Sequence, residues 1–374
     1  MPGSVQLAVA GSGKTEEIVS RIKSQDPLTR SLALTFTVNG QNEIANRSKS
    51  ELTTNHETSG WMSFLVRHII RPYLPVVFPQ VQANGLCFVK STGEIPRWRS
   101  GWKYYFNDAH QPYSVRLAML AKKVLKESKN APIARLEKIF DVIYIDECQD
   151  LTPSDLVVVE ALMKSSIHVF VTGDVRQSVL KTSKSDRFQQ QYSGVEQVGW
   201  FRDRQAKNVC NLVFSSETRR FNSEIASFSD LIHDPALNFP PTVSVQNCIT
   251  EHDGVFLLDV ADVDAYVSEW NPLVLRYSKS ADSSWPAGEK LNFGVSKGLT
   301  RNRTLIFTTG TIEKWLQGKE LLKPDSACGF YVAATRARYS VALAAKNASK
   351  LYLQIDPVIQ LNVQLWRPAN STSS

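Results

Sequence analysis

The sequence predicts an α/β protein with parallel sheets, arranged in two domains. Three observations carry that expectation. The N-terminus reads strand, glycine-rich turn, helix, strand, which is the order of a parallel sheet with crossover helices. Farther on, the apolar runs Val142 to Ile145 and His168 to Thr172 flank a helical stretch, Ser154 to Met163, as buried parallel strands do. Around Gln205 a second series of apolar runs begins, in a chain whose 374 residues suffice for two cores.

The elements follow in order. Val5 to Val9 reads as the first strand, Lys14 to Lys23 as a helix, and Leu32 to Thr37 as the second strand after the turn at Pro27. A helix is expected from Trp61 to about Pro72. Val76 to Tyr113 is irregular, aromatic and rich in turn formers, the composition of an inserted subdomain. From Tyr113 to Lys126 the apolar residues Leu117, Leu120, Ala121, Val124 and Leu125 fall on one helical stripe. Thr152 and Pro153 suit the cap and first turn of the next helix. Lys181 to Arg187 is polar and reads as a mobile loop. Strands of the second unit are expected at Val255 to Leu258, Leu273 to Arg276, Thr304 to Thr308 and Val341 to Ala345, with a frayed tail after Arg367.

Composition narrows the function classes. A hydrophobic share of 43% and a charged share of 21% are those of a globular chain. No apolar run has the length to cross a bilayer, and no signal-peptide stretch opens the chain, so no membrane partner and a cytoplasmic location are expected. The five cysteines stand singly, without a C-x-x-C pair, which argues against a disulfide framework and a zinc site. The net charge of +7 points mildly toward a polyanion.

The chemistry-bearing residues begin at the first turn. Ala8-Val9-Ala10-Gly11-Ser12-Gly13-Lys14-Thr15 lies between a strand and a helix, the setting of a P-loop. Backbone N–H groups from Ala10, Gly11, Ser12 and Gly13 can close around phosphates at a helix N-terminus. Lys14 would reach the β- and γ-phosphates of ATP, and Thr15 would offer its hydroxyl to Mg²⁺. Asp146 and Glu147 end an apolar strand, at the rim where α/β proteins bind ligands. There Asp146 suits Mg²⁺, and Glu147 suits activation of the attacking water. Gln177, four residues past Gly173, can sense the γ-phosphate.

These residues resemble a family, the UvrD/Rep type of superfamily 1 DNA helicases. The P-loop, the segment from Leu34-Thr35-Phe36-Thr37 through Glu43-Ile44, and Asp146-Glu147-Cys148-Gln149-Asp150 look like its motifs I, Ia and II. Gly173 to Gln177 looks like motif III, Arg219 to Ile225 like motif IV, Ser296-Lys297-Gly298-Leu299 like motif V, and Tyr331 to Arg338 like motif VI. The resemblance implies two RecA-like P-loop domains, at 1–205 and 206–374, with ATP and Mg²⁺ between them and single-stranded DNA or 3′-tailed duplex as partner. It implies a translocase or helicase running 3′ to 5′. Arg220 and Arg336 would act as arginine fingers, with Arg219 and Gly298 near the nucleotide.

Departures from the family are equally plain. The chain starts almost at the P-loop, so the upstream glutamine motif that reads adenine is expected to be missing. Arg219 stands where a base-stacking tyrosine is usual, Gly294 and Thr300 where motif V has His and Glu, and Leu180 and Thr182 where stacking aromatics follow motif III. The accessory insertions are cut down to about Arg71 to Pro112 and Asn238 to Gly254. The whole is similar to short UvrD-like proteins found beside nucleases in phage-defence loci.

On the DNA path the resemblance implies Thr35, Phe36, Thr37, Ser63, Phe64 and Lys297. Phe64 serves equally well as core. Arg97-Trp98-Arg99 and Trp102-Lys103-Tyr104-Tyr105 interleave cations with rings, the chemistry of sequence-independent single-strand binding, or else an aromatic hairpin packed on its own domain. Two functions remain open: a motor in DNA repair or phage defence, or an ATPase switch that senses DNA and signals to a nuclease or other partner protein.

Overall fold

The computed structural model describes residues 3–49, 55–89, 91–96, 98–179, 188–278 and 290–368. The chain divides into two compact units. One comprises Met1–Leu7, Gly13–Val175 and Leu180–Phe214; the other comprises Ala8–Ser12, Arg176–Val179 and Ser215–Ser374.

The first unit is organised by a six-stranded sheet of order β3-β2-β4-β5-β1-β6. Its strands are β1 (Gly3–Ala8), β2 (Ser31–Thr35), β3 (His56–Gly60), β4 (Val142–Ile145), β5 (His168–Gly173) and β6 (Cys210–Ser215). The registered pairs are parallel: Leu7 faces Gly173, Ile145 faces Val171, and Leu34 faces Ile145. The carboxyl ends of β1, β5 and β4 therefore lie side by side, at the edge where such sheets bind ligands. Around the sheet run α1 (Lys14–Ser24), α2 (Val38–Ser48), α3 (Trp61–Phe64), α4 (Leu74–Val77), α5 (Leu117–Glu127), α6 (Ala131–Leu136), α7 (Pro153–Met163) and α8 (Gln197–Ala206).

Each expected strand and helix of this unit is present, with shifted ends. β2 stops at Thr35 instead of Thr37, because Thr37 caps α2 by accepting a hydrogen bond from the Gly40 N–H. The helix begun at Trp61 continues as a π-helical segment, Leu65–Ile70. The α5 stripe of Leu117, Leu120, Ala121, Val124 and Leu125 is buried throughout. Thr152 and Asp155 cap α7 reciprocally. The sheet takes its edge strand β6 from beyond Gln205, where the sequence reading had turned to the second unit; the boundary falls after Phe214. Residues 71–112 hold α4 and short 3₁₀ turns around a small cluster of Ile95, Tyr113 and Val115. The expected loop Lys181 to Arg187, with Leu180 and Thr182, lies outside the described residues, as does the tail past Pro368.

The second unit repeats the plan. A parallel sheet of order β11-β10-β12-β13-β9-β14 is built from β9 (Gly254–Asp259), β10 (Leu273–Arg276), β11 (Leu291–Asn292), β12 (Arg301–Phe307), β13 (Ala337–Ala345) and β14 (Gln364–Leu365). A two-stranded ribbon, β7 (Glu217–Thr218) and β8 (Val243–Ser244), stands apart from it. Its helices are α9 (Ser223–Asp230), α10 (Val263–Trp270), α11 (Gly310–Leu316), α12 (Pro324–Ala334), α13 (Ala348–Tyr352) and α14 (Pro357–Gln360). One face of the sheet packs on Phe228, Trp315 and Phe330, the other on Val263 and Tyr266 of α10. α12 is buried from Ala327 to Ala334 and leads directly into Thr335 and Arg336.

Candidate functional site: a P-loop and its acidic partner

β1 runs into a turn that only glycine makes cheaply: Gly13 sits at φ +89° and caps α1 in the left-handed region. Lys14 and Thr15 then open the helix, so the first turn presents its N–H groups with a lysine and a hydroxyl beside them. The Ser12 hydroxyl oxygen is buried with no hydrogen-bond partner among the described residues, an orphaned polar atom that an anionic oxygen would satisfy.

The acidic partner comes from β4. The Asp146 carboxylate accepts the Thr15 hydroxyl at 2.9 Å and the Glu147 N–H at 2.8 Å. Burial first, then the neighbouring Glu147 charge, holds the Asp146 carboxyl well above its ordinary range. A hydroxyl and a carboxylate make a hard-oxygen pair that fits Mg²⁺, which takes few protein ligands and completes its shell with water and phosphate. The residues present thus fit the metal and the nucleotide.

Glu147 adopts φ +56°, a left-handed conformation unusual for a side chain other than glycine. Its carboxylate accepts a hydrogen bond from the Gln149 amide, and the Gln149 carbonyl accepts from the Asp174 N–H at 3.0 Å. Gln149 therefore ties the loop after β4 to the end of β5. Gly173 makes this possible, since a Cβ there would stand 2.4 Å from Gln149 Oε1 and 2.6 Å from Cys148 Sγ. The sequence reading quoted Gln149 within motif II but gave it no role. Its only sequence signal is the amide two residues past the acidic pair.

The other residues that the resemblance assigns to the nucleotide fall in the second unit. There the Thr218 hydroxyl donates to the Ala10 carbonyl at 2.7 Å, and the Arg219 N–H to the Gly11 carbonyl at 3.0 Å. The Arg219 side chain is exposed. Arg220 donates to the Thr335 carbonyl at 3.3 Å. Arg336, only 1% exposed, donates to Gln177 Oε1 and the Val332 carbonyl, both at 2.9 Å, and to the Leu299 carbonyl at 3.3 Å. Gly298, at φ +88°, is exposed, and Lys297 is half-buried.

The residues expected on a DNA path divide. Thr37 and Ser63 are exposed, and Phe36 is half-buried against the Trp61 ring at 5.8 Å. Thr35 and Phe64 are buried, and Phe64, fully enclosed between Trp61 and His68, is core. Its ring offers no surface to a base. In the inserted segment Trp98 is 69% exposed, whereas Trp102 packs edge-on against His110. Arg99 is paired with Asp108, and Arg116 stacks on Tyr104 at 3.8 Å. Trp102, Tyr104 and Arg99 thus make the hairpin's own packing, while Arg97 lies outside the described residues.

Fold and site together define a P-loop nucleotide-binding unit of the NTPase class. Residues 4–182 match the family model described as an AAA domain. No curated protein matches the sequence. Among solved structures, an arterivirus nonstructural protein 10, a helicase in complex with DNA, is 13% identical over 94% of this chain and 63% of that one, with a TM-score of 0.42. This chain thus spans less than two thirds of that protein. Among the described residues no helix is long and apolar enough to cross a membrane.

Proposed function

We propose that this chain is an ATPase of the superfamily 1 helicase type that moves along single-stranded DNA, 3′ to 5′, in the cytoplasm. The observation that supports it most is the Thr15 hydroxyl held 2.9 Å from the Asp146 carboxylate, beside a lysine and a P-loop. Thr15 and Asp146 would hold Mg²⁺, which when bound supplies positive charge to the β- and γ-phosphate oxygens. Lys14 neutralises the same oxygens from the helix end. Glu147, oriented by Gln149, accepts a proton from the attacking water. In this reading Gln177 senses the γ-phosphate, and Arg220 and Arg336 serve as arginine fingers for charge developing on it.

The test is ATP hydrolysis by the purified chain with and without a single-stranded oligonucleotide, in Mg²⁺ and in excess chelator. DNA-stimulated, chelator-sensitive turnover is expected. Hydrolysis indifferent to DNA would refute the motor reading. A second reading, an ATPase switch for a partner nuclease, draws on Leu180 and Thr182 in place of stacking aromatics. Stopped-flow translocation on labelled oligonucleotides separates the two.

A further inference from the structure

Residues 215–219 run beside the P-loop as a strap. Both belong to the second unit, where Ala8–Ser12 group with Ser215–Ser374. The Val9 N–H donates to the Ser215 carbonyl at 3.0 Å, the Thr218 hydroxyl to the Ala10 carbonyl at 2.7 Å, and the Arg219 N–H to the Gly11 carbonyl at 3.0 Å. A peptide group is planar and trans, so its carbonyl and its N–H point in opposite directions. Fixing the Ala10 carbonyl on Thr218 therefore turns the Gly11 N–H away from the strap. The next N–H, of Ser12, closes the turn onto the Val9 carbonyl at 3.3 Å. Among the described residues the Gly11 N–H has no acceptor, and Gly11 is half-buried, within reach of solvent. A backbone donor held in place and left without a protein acceptor is what an anion-binding loop offers.

The same hydroxyl reaches a second group. Thr218, fully buried, also accepts the Arg220 N–H at 3.3 Å. One side chain thus joins the P-loop to the backbone of Arg220, whose guanidinium is proposed above as an arginine finger. The approach is close. A Cβ on Gly11 would stand 2.5 Å from Arg220 Cβ and 2.8 Å from Thr218 Oγ1, so the strap can lie against the loop only where that residue is glycine. Thr218 stands one residue before the stretch that resembles motif IV, and nothing in its own sequence position marks it.

We infer that Thr218 is a positioning residue of the nucleotide site: its hydroxyl sets the Gly11 N–H as a donor for a phosphate oxygen and holds Arg220 in register with it. The inference deepens the proposed function and rests on its P-loop reading. Thr218 acts through two partners, on nucleotide affinity through Gly11 and on turnover through Arg220.

The test compares the wild type with Thr218→Val, which keeps the shape and removes the donor, and with Thr218→Ser, which keeps the donor. Thr304→Val, the same change at a buried threonine of β12, is the control and should keep wild-type values. ADP affinity is read by titration calorimetry in Mg²⁺, kcat and KM by steady-state ATP hydrolysis with an oligothymidylate, and folding by a thermal melt without nucleotide. One net hydrogen bond is worth up to about tenfold in an equilibrium. Thr218→Val should therefore raise the ADP Kd and the ATP KM about tenfold and lower kcat, and Thr218→Ser should restore all three to within about threefold. Arg220→Gln should cost less of kcat in the Thr218→Val background than in the wild type, because Arg220 is already displaced there; additive losses overturn the link to Arg220. A lowered melting temperature with wild-type Kd and KM makes the bond merely structural and overturns this inference alone, as does a Thr218→Ser variant that loses as much as Thr218→Val. If Thr218→Val does not fold, Thr218→Ala, which opens space where valine fills it, carries the same expectations. Hydrolysis indifferent to DNA refutes the motor reading and leaves this inference standing, since it rests on nucleotide binding. A wild type that binds no ADP and hydrolyses no ATP overturns both.

Discussion

Gln149→Ala removes the amide that joins the loop after β4 to the end of β5. The side chain is buried, donates to the Glu147 carboxylate and accepts from the Asp174 N–H at 3.0 Å. Two consequences follow with separate magnitudes. The Asp174 N–H loses this acceptor in a buried setting, which costs about 1–3 kcal/mol. For a unit of this size that is about 2–12 °C in melting temperature. Glu147 meanwhile loses the bond that orients its carboxylate at a left-handed backbone position. A displacement of about 1 Å at such a group lowers turnover on the order of a hundredfold. The ATP concentration for half-maximal rate should hardly move, because Lys14 and Thr15 still bind the phosphates. Steady-state ATPase, read beside a thermal melt, measures both effects. Wild-type turnover together with the lowered melting temperature would refute the positioning role and leave Gln149 a purely structural link.

Four further outcomes are expected. Lys14→Ala should remove turnover by weakening the grip on the phosphates, whereas Glu147→Gln should bind ATP normally and stall; equal loss of nucleotide affinity in both would contradict the assigned roles. Arg336→Ala should lower turnover on the order of a thousandfold with DNA binding largely intact, and wild-type ATPase in that variant would rule the residue out as an arginine finger. Burial lowers the pKa of His56, His68 and His252 to about 4 in the folded chain, so the unfolded chain takes the proton first. Stability should be flat above about pH 6.5 and fall below it toward pH 4, by at most about 1.4 kcal/mol per pH unit per ring; equal denaturation midpoints at pH 7 and pH 5 would contradict this. The isolated chain should show DNA-stimulated ATPase with poor unwinding, since a base stacked on an aromatic is worth about 1–3 kcal/mol and Leu180 and Thr182 offer no ring; processive unwinding of a long duplex at physiological salt would contradict it.

The sequence by itself determined the parts of this protein in which neighbours along the chain make the chemistry. The P-loop is one turn of backbone whose glycines, lysine and threonine are consecutive. β4 and β5 are continuous apolar runs because both their faces are buried. The α5 stripe is legible because one face of one helix repeats at 3.6 residues. Only the tertiary structure decided what depends on residues far apart. β3, His-Glu-Thr-Ser-Gly, has no apolar pattern and exists through its register with β2. The ties from Gln149 to Asp174 and from Thr15 to Asp146 join positions 25 and 131 residues apart. Their spacing in the chain carries no signal, because contact across a fold is set by packing and not by period.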